Sequence, residues 1–467
     1  MTSRKMRVSL MTGIVLTIVL LAVGVFAGGG TDLRRIVVFH DGTSSQVQQQ
    51  AVAQSGSRLL RLLSLINGAS IELPATGTDS ALAYLRSHYA VAAVYDDPVV
   101  GAHGEVSAVA TGAGGDGAGG DGVFVTPVAP PPTEIYPWGI DRIGAADVQE
   151  ASPPVAGDGV KVAVFDTGID RTHPELAPNI VGGFNAIATA ADPSNYQDDN
   201  GHGTAMAGII AARLNRQGVI GAAPHALLYA VKVLDSTGHG HTSDTLHALS
   251  VIADRNDIRL INMSYGTALA TAALQPLEPL LRTAVQRIVQ LGKIFVTSRG
   301  NGCTTGAGGT VANGAGGDGA GGDGAGGDAG CDPHAVRYPA VYPEVITVGA
   351  STVANTVPGY SLWGVDVVAP GGDTGADNTK KILTTNVGGG YGVISGTSPA
   401  AAHVTGAVAL ALQLQRNLSP AQAQDLLQRT ANHLQCPLWP ADASTCPSDQ
   451  QGAGLIDVKA MVEALRK

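Results

Sequence analysis

Short apolar runs alternate with helical patterns through the C-terminal two thirds of the chain. Val160–Phe165, Leu227–Leu234, Arg259–Met263, Ile294–Thr297 and Val345–Val348 read as buried strands, with helices between them. Such alternation predicts an α/β fold, a mostly parallel sheet with helices on both faces. Ligands in such folds sit at the carboxyl ends of strands, where Asp166 and Asn301 fall. Upstream, from Arg34 to about His103, the pattern changes to RRIVVFHDG, a Gln-rich helix-like stretch and ALAYLRSHYAVAAVYDDPVV. It predicts a small sheet with helices on one face. Further upstream, Arg4, Lys5 and Arg7 precede an uncharged apolar run from Val8 to Ala27, the make-up of an export signal cut near Ala27. The run is also long enough to span a bilayer, so an uncleaved signal anchor is the rival.

Composition sharpens this outline. The chain has 467 residues, 44% of them hydrophobic, ample for a buried core, and its formal charge of −10 excludes a nucleic-acid binder. Much of the excess among its 63 glycines lies in two blocks. One falls in a linker, residues 104–132, where GAGGDGAGGDG is followed by a proline run. The other, Gly314–Asp328, repeats GAGGD and reads as a disordered insertion at about residues 304–330. The four cysteines pair most simply as Cys303 with Cys331 and Cys436 with Cys446, closing loops in an oxidising compartment. A zinc site would call for CxxC pairs, which are missing. The resulting division is a signal at 1–27, a small domain at 28–103, the linker at 104–132 and the main domain at 133–467.

Three segments of the main domain carry chemistry: VAVFDTGID around Asp166, DDNGHGTAMAG around His202 and GTSPAAAHVTG around Ser398. Asp166 at a strand end can accept a hydrogen bond from an imidazole and hold its tautomer. His202 stands between two glycines at the start of an apolar helix, uncrowded and able to face a cleft. Ser398 precedes Pro399, which suits the first position of a helix, so hydroxyl and backbone N–H point from a helix N-terminus where negative charge is favoured. Asn301, after the strand ending near Thr297, can donate its amide to an oxyanion beside the Ser398 N–H. Singly these are a loop Asp, a structural His, an N-cap Ser and a turn-forming Asn-Gly pair. Jointly, and in the order Asp, His, Ser, they form one of the known arrangements of a serine triad.

Across about Ile135 to Val462 the chain resembles subtilisin-like serine proteases of the S8 family, through these segments and through YPWGIDRIGA, INMSYG, RYPAVYPEVITVGA, VVAPGG and GAGLIDVKA. The stretch ending in VYDDPVV is similar to that family's inhibitory propeptide, which implies a small α+β, ferredoxin-like domain. The resemblance implies a secreted endopeptidase made as an autoprocessed zymogen and acting on polypeptides through an acyl-enzyme. Asp166 would be its orienting acid, His202 its general base, Ser398 its nucleophile and Asn301 its oxyanion donor. Ser264, Tyr265 and Gly266 would form one wall of the specificity pocket and pair with the substrate backbone, with Ser298 and Gly300 also binding substrate. The propeptide would act as an intramolecular inhibitor, and a monomer is expected. No cofactor is required; structural calcium is compatible with the family, with Glu175 and Asp198 as weak ligand candidates, and no metal site is assigned. His239, His241 and His247 belong to a stretch resembling the family's substrate-edge loop. The rival is an inactive or weakly active protease-like binding protein at the cell surface.

Departures from the family pattern matter too. Pro399 stands where Met is usual, removing an oxidisable sulfur beside the nucleophile. Ala402 stands where Pro is frequent. Ser298-Arg299 replaces Ala-Ala, so Arg299 would either favour acidic substrates or face solvent. His403 lies roughly 140° around the helix from Ser398 and reads as a buried structural histidine.

Overall fold

The computed structural model describes residues 33–102, 125–187, 189, 191–267, 275–302, 304–305, 311–312, 334–434 and 448–467. The export signal, the start of the linker, the second glycine block and all four cysteines with their pairings lie outside these residues.

The N-terminal part runs β1 (Arg34–Phe39), α1 (Ser45–Gln54), β2 (Arg58–Leu63), β3 (Gly68–Glu72), α2 (Thr78–Ser87) and β4 (Val91–Asp96). Its sheet is antiparallel in the order β2-β3-β1-β4, the ferredoxin-like arrangement. Ser44 caps α1 by accepting the Val47 N–H. Two short strands follow, β5 (Val99–Ala102) and β6 (Thr126–Val128), and neither joins that sheet.

Beyond them come α3 (Trp138–Arg142), α4 (Ala145–Gln149), β7 (Lys161–Asp166), β8 (Ile180–Asn185), α5 (His202–Ala211), β9 (Leu227–Lys232), β10 (His239–His241) and α6 (Thr242–Ala253). Next are β11 (Leu260–Met263), β12 (Tyr265–Gly266), α7 (Glu278–Gln290), β13 (Ile294–Ser298), β14 (Thr304–Thr305) and β15 (Val311–Ala312). The chain ends with β16 (Ile346–Ser351), β17 (Val367–Pro370), β18 (Ile382–Asn386), β19 (Gly390–Ile394), α8 (Thr397–Leu414), α9 (Pro420–Thr430), α10 (Ser448–Gln451) and α11 (Val458–Arg466).

Seven strands form the main sheet in the order β17-β16-β13-β11-β7-β9-β8, every pairing parallel. All five predicted strands are in it, shifted by up to three residues at their ends. The two strands not anticipated are the edges. β8 is IVGGFN, with two glycines that supply no side chain to pack, and β17 is VVAP, ending in a proline that cannot continue a ladder. Helices cover both faces. α8 is buried almost throughout, packed on α5 and crossing β11, β13, β16 and β17. Among the described residues, no helix is long and apolar enough to cross a membrane.

Because the strands are parallel, their carboxyl ends collect at one edge. Asp166 closes β7, Ser264 follows β11, and Gly300 and Asn301 follow β13. α6 and α7 pack on each other and also hold the small domain, through β2 and the turn Ser64–Ile66.

Candidate active site

His202 opens α5 because Gly201, at φ +117°, makes a turn that residues with a Cβ rarely adopt. Its Nδ1 lies 2.7 Å from Asp166 Oδ1, and both side chains are fully buried. The same oxygen accepts the Thr167 N–H at 2.8 Å. Bonding at Nδ1 puts the proton of a neutral imidazole there and leaves Nε2 as the basic nitrogen. That nitrogen is buried and has no hydrogen-bond partner among the described residues. The next residue must be Gly203, since a Cβ there would stand 2.1 Å from the Gly168 carbonyl oxygen.

Asp198 holds this turn. Its Oδ1 accepts the N–H groups of Asn200 and Gly201 and the Thr167 hydroxyl, while Oδ2 accepts both the N–H and the hydroxyl of Thr204. Thr167 Oγ1 in turn accepts the Gly203 N–H at 2.9 Å. A carboxylate taken up by five protein donors does not fit the calcium-ligand role considered for it. Glu175, the other candidate, accepts from the Tyr391 hydroxyl at 2.7 Å and the Asn215 amide at 2.9 Å.

Ser398 is the second residue of α8, two places further in than Pro399 alone suggests, because the helix starts at Thr397. Pro399 still lies in the first turn, where backbone N–H groups have no intrahelical acceptor. Ser398 Oγ donates to the Ser264 carbonyl at 2.9 Å, and Ser264 Oγ donates back to the Ser398 carbonyl at 3.2 Å. Two buried side chains extend this tie: Asn262 donates to Ser264 Oγ at 3.1 Å, and Thr405 donates to Asn262 Oδ1 at 2.8 Å. Asn301 Oδ1 accepts from the Thr397 N–H at 2.9 Å and from its hydroxyl at 3.0 Å. The NH2 group of Asn301 is therefore turned away from Thr397. A hydroxyl at a helix N-terminus, an imidazole oriented by a carboxylate and an anchored amide donor are the parts that acyl transfer needs.

A family model described as "Subtilase family" matches residues 157–454, which contain all four of these groups. The chain belongs to the subtilase family. It is 36% identical over 329 residues to "Subtilisin" of Bacillus pumilus, a match covering 70% of this chain and 98% of that protein. Against "Subtilisin J" of Geobacillus stearothermophilus the identity is 31% over 472 residues, 99% of this chain and all of the relative. "Subtilisin E" of Bacillus subtilis (strain 168) is 36% identical over 70% of this chain and 71% of its own length. The protein is accordingly a serine-type endopeptidase acting on peptide bonds.

In this subtilase Arg299 does not face solvent. It is buried, its Nε and Nη1 donating to the carbonyls of Trp363 and Ala335 at 2.5 and 3.0 Å. The guanidinium ties together the two segments that carry Trp363 and Ala335. Ser298 ends β13 fully buried, and Gly300, at φ +104°, donates its N–H to Thr397 Oγ1 at 3.1 Å. His403 is fully buried as expected, donating from Nδ1 to the Pro399 carbonyl at 2.8 Å. Burial holds its pKa down to about 4.

His239 and His241 lie on β10, and His247 on α6 faces Phe184 edge-on. Between β10 and β12 runs β5, antiparallel to both. Val100 of β5 borders an apolar cavity lined by Leu249, Met263, Leu281, Val285 and Phe295. Asn262, Thr405 and Asp198 carry no chemistry of their own and were not assigned to the site from sequence. All three stand within segments quoted above, Asp198 in DDNGHGTAMAG, Asn262 in INMSYG and Thr405 in GTSPAAAHVTG, and that placement is the available signal.

Proposed function

We propose that this subtilase is a secreted endopeptidase made as a zymogen, with Asp166, His202 and Ser398 as its triad. Ser398 Oγ attacks the scissile carbonyl while His202 Nε2 takes its proton, and Asp166 holds the ring and stabilises the imidazolium. The Asn301 amide and the Ser398 N–H receive the negative charge on the carbonyl oxygen. His202 then protonates the leaving amine, and water resolves the acyl-enzyme. The observation that carries the reading is the 2.7 Å Asp166–His202 bond beside a serine at the N-terminus of α8.

The small domain serves as the intramolecular inhibitor. β5 takes the place of a substrate strand, a form of strand addition whose affinity comes from main-chain hydrogen bonds. A buried cluster fastens it. Arg34 Nε bonds Asp97 at 3.0 Å, Arg34 Nη2 bonds Asp244 at 2.9 Å and Ser243 Oγ at 2.7 Å, and Asp97 accepts the Ser243 N–H at 2.9 Å. Asp97 thereby places a carboxylate at the N-terminus of α6, where the helix dipole favours negative charge. Export rests on the charged and apolar pattern of residues 1–27. The test is labelling with a fluorophosphonate probe. Processed protein should react and the Ser398→Ala chain should not; an unreactive processed protein would instead support the binding-protein reading.

A further inference from the structure

We propose that Thr405, buried two helical turns beyond Ser398, is a positioning residue for the nucleophile, an assignment that rests on the reading of Ser398 given above. Seven residues along an α-helix return to within about 20° of the same face and advance it by about 10 Å. Ser398 and Thr405 therefore address the same neighbour at two heights, and that neighbour is β11 with its continuation. Thr405 Oγ1 donates to Asn262 Oδ1 at 2.8 Å, and Asn262 Nδ2 donates to Ser264 Oγ at 3.1 Å. Ser264 Oγ in turn donates to the Ser398 carbonyl at 3.2 Å. All four residues are fully buried.

Asn262 is the polar exception in its strand. Every residue of β11 is buried, and Asn262 lies in register with Val164 on one side and Val296 on the other. An amide at such a place costs free energy unless it is hydrogen-bonded, and an apolar side chain would fill the space without that cost. What the amide supplies is direction, because it accepts at one end and donates at the other. The Thr405 hydroxyl occupies the oxygen end, so the NH2 end faces Ser264 Oγ. A hydroxyl carries one proton, and Ser264, accepting from Asn262, gives its own to the Ser398 carbonyl. Without the Thr405 hydroxyl the amide is free to turn over. Its oxygen then takes the Ser264 proton, and the Ser398 carbonyl loses this donor.

That donor counts most during the reaction. At rest two bonds join the residues, Ser398 Oγ to the Ser264 carbonyl at 2.9 Å and Ser264 Oγ to the Ser398 carbonyl. The first is given up when Ser398 Oγ turns to His202 Nε2 and attacks. The second remains, and it holds the main chain of the nucleophile while the side chain moves. Thr405 thus steadies the reacting oxygen without touching substrate. Misplacing a reacting group by about 1 Å costs about 10² in rate.

The experiment compares processed enzyme from the full chain with Thr405→Val, Thr405→Ala and Thr405→Ser, each titrated with the fluorophosphonate probe so that rates on a peptide substrate are per active site. Valine keeps the shape and removes the hydroxyl, alanine removes it without placing a methyl against Asn262, and serine keeps it. Valine and alanine should each lower kcat roughly 10-fold at unchanged KM, short of the full cost of a 1 Å misplacement, with serine within about twofold of the parent. In a Ser264→Ala background, Thr405→Val should lower kcat by less than about twofold more, since the relay is already cut. A kcat per labelled site that is unchanged in both valine and alanine overturns the inference, even where the urea midpoint falls. So does a loss carried by KM, or a full 10-fold loss that persists beside Ser264→Ala. A parent enzyme that the probe does not label overturns the protease reading itself and is told apart by that result.

Discussion

Replacing Asp97 by alanine tests whether the buried cluster holds the inhibitory domain in place. Asp97 is 3% exposed and accepts from Arg34 Nε, the Ser243 N–H and the Ser243 hydroxyl at 3.0, 2.9 and 2.7 Å. The substitution strands a buried N–H at the start of α6 and one edge of a buried guanidinium. Truncating one partner of such a pair costs about 2–5 kcal/mol. Two facts argue for the lower half of that range. Arg34 keeps its contacts with Asp244 and Ser243, and Asp97 itself is costly to bury, its pKa being pushed up by desolvation against the pull of Arg34. A loss of about 2–3 kcal/mol corresponds to a roughly 30- to 150-fold rise in opening. The assay is amide exchange followed by mass spectrometry on the full chain carrying Ser398→Ala, so that no cleavage intervenes. Protection at β5 and at the first turn of α6 should fall by that factor, with Asp97→Asn falling less because an amide still accepts from Ser243. A change under threefold would refute the reasoning, as would strict additivity between Asp97→Ala and Arg34→Met.

Three further outcomes are expected. Asn301→Ala should lower kcat by roughly 10²–10³ with little change in KM, a magnitude measured in a subtilisin rather than worked from this structure; a loss confined to KM would move Asn301 from oxyanion donor to substrate contact. His403, with a folded pKa near 4, binds its proton more readily in the unfolded chain. The stability it contributes is full above about 6.5 and lost as pH falls toward 4, by about 3 kcal/mol in all. Urea midpoints of the Ser398→Ala chain at pH 7 and pH 4 should therefore differ more than those of the same chain with His403→Leu, and equal differences would contradict the assignment. Finally, with Pro399 beside the nucleophile, activity on a peptide substrate should survive mild peroxide, and substantial inactivation would show that another oxidisable group controls the site.

Much of the protein was legible in its sequence because the signals are local. Strand-length apolar runs bounded by turn residues declare a parallel sheet wherever they occur, and all five central strands came from such runs. The candidate catalytic groups were legible from local segments read together. Each sits in its own short segment with glycines that its backbone turn requires, as at Gly201 and Gly203, and the order of Asp166, His202 and Ser398, with Asn301 between the last two, singles them out jointly. The edge strands escaped for different reasons: β8 is only partly buried and carries two glycines, while β17, though buried, is four residues long and ends in a proline.

Tertiary structure decided what depends on distant segments meeting. Arg299 reads as a pocket charge, yet the carbonyls it serves belong to Trp363 and Ala335, which no local pattern connects to it. Asn262, Thr405 and Asp198 became site residues only through hydrogen bonds spanning up to 143 positions. Most of all, the pairing of β5 with β12 joins residues more than 160 apart in the chain, Ala102 with Tyr265. Composition can declare a linker, but register is a property of two strands together. A one-residue slip would turn every side chain of β5 to the opposite face.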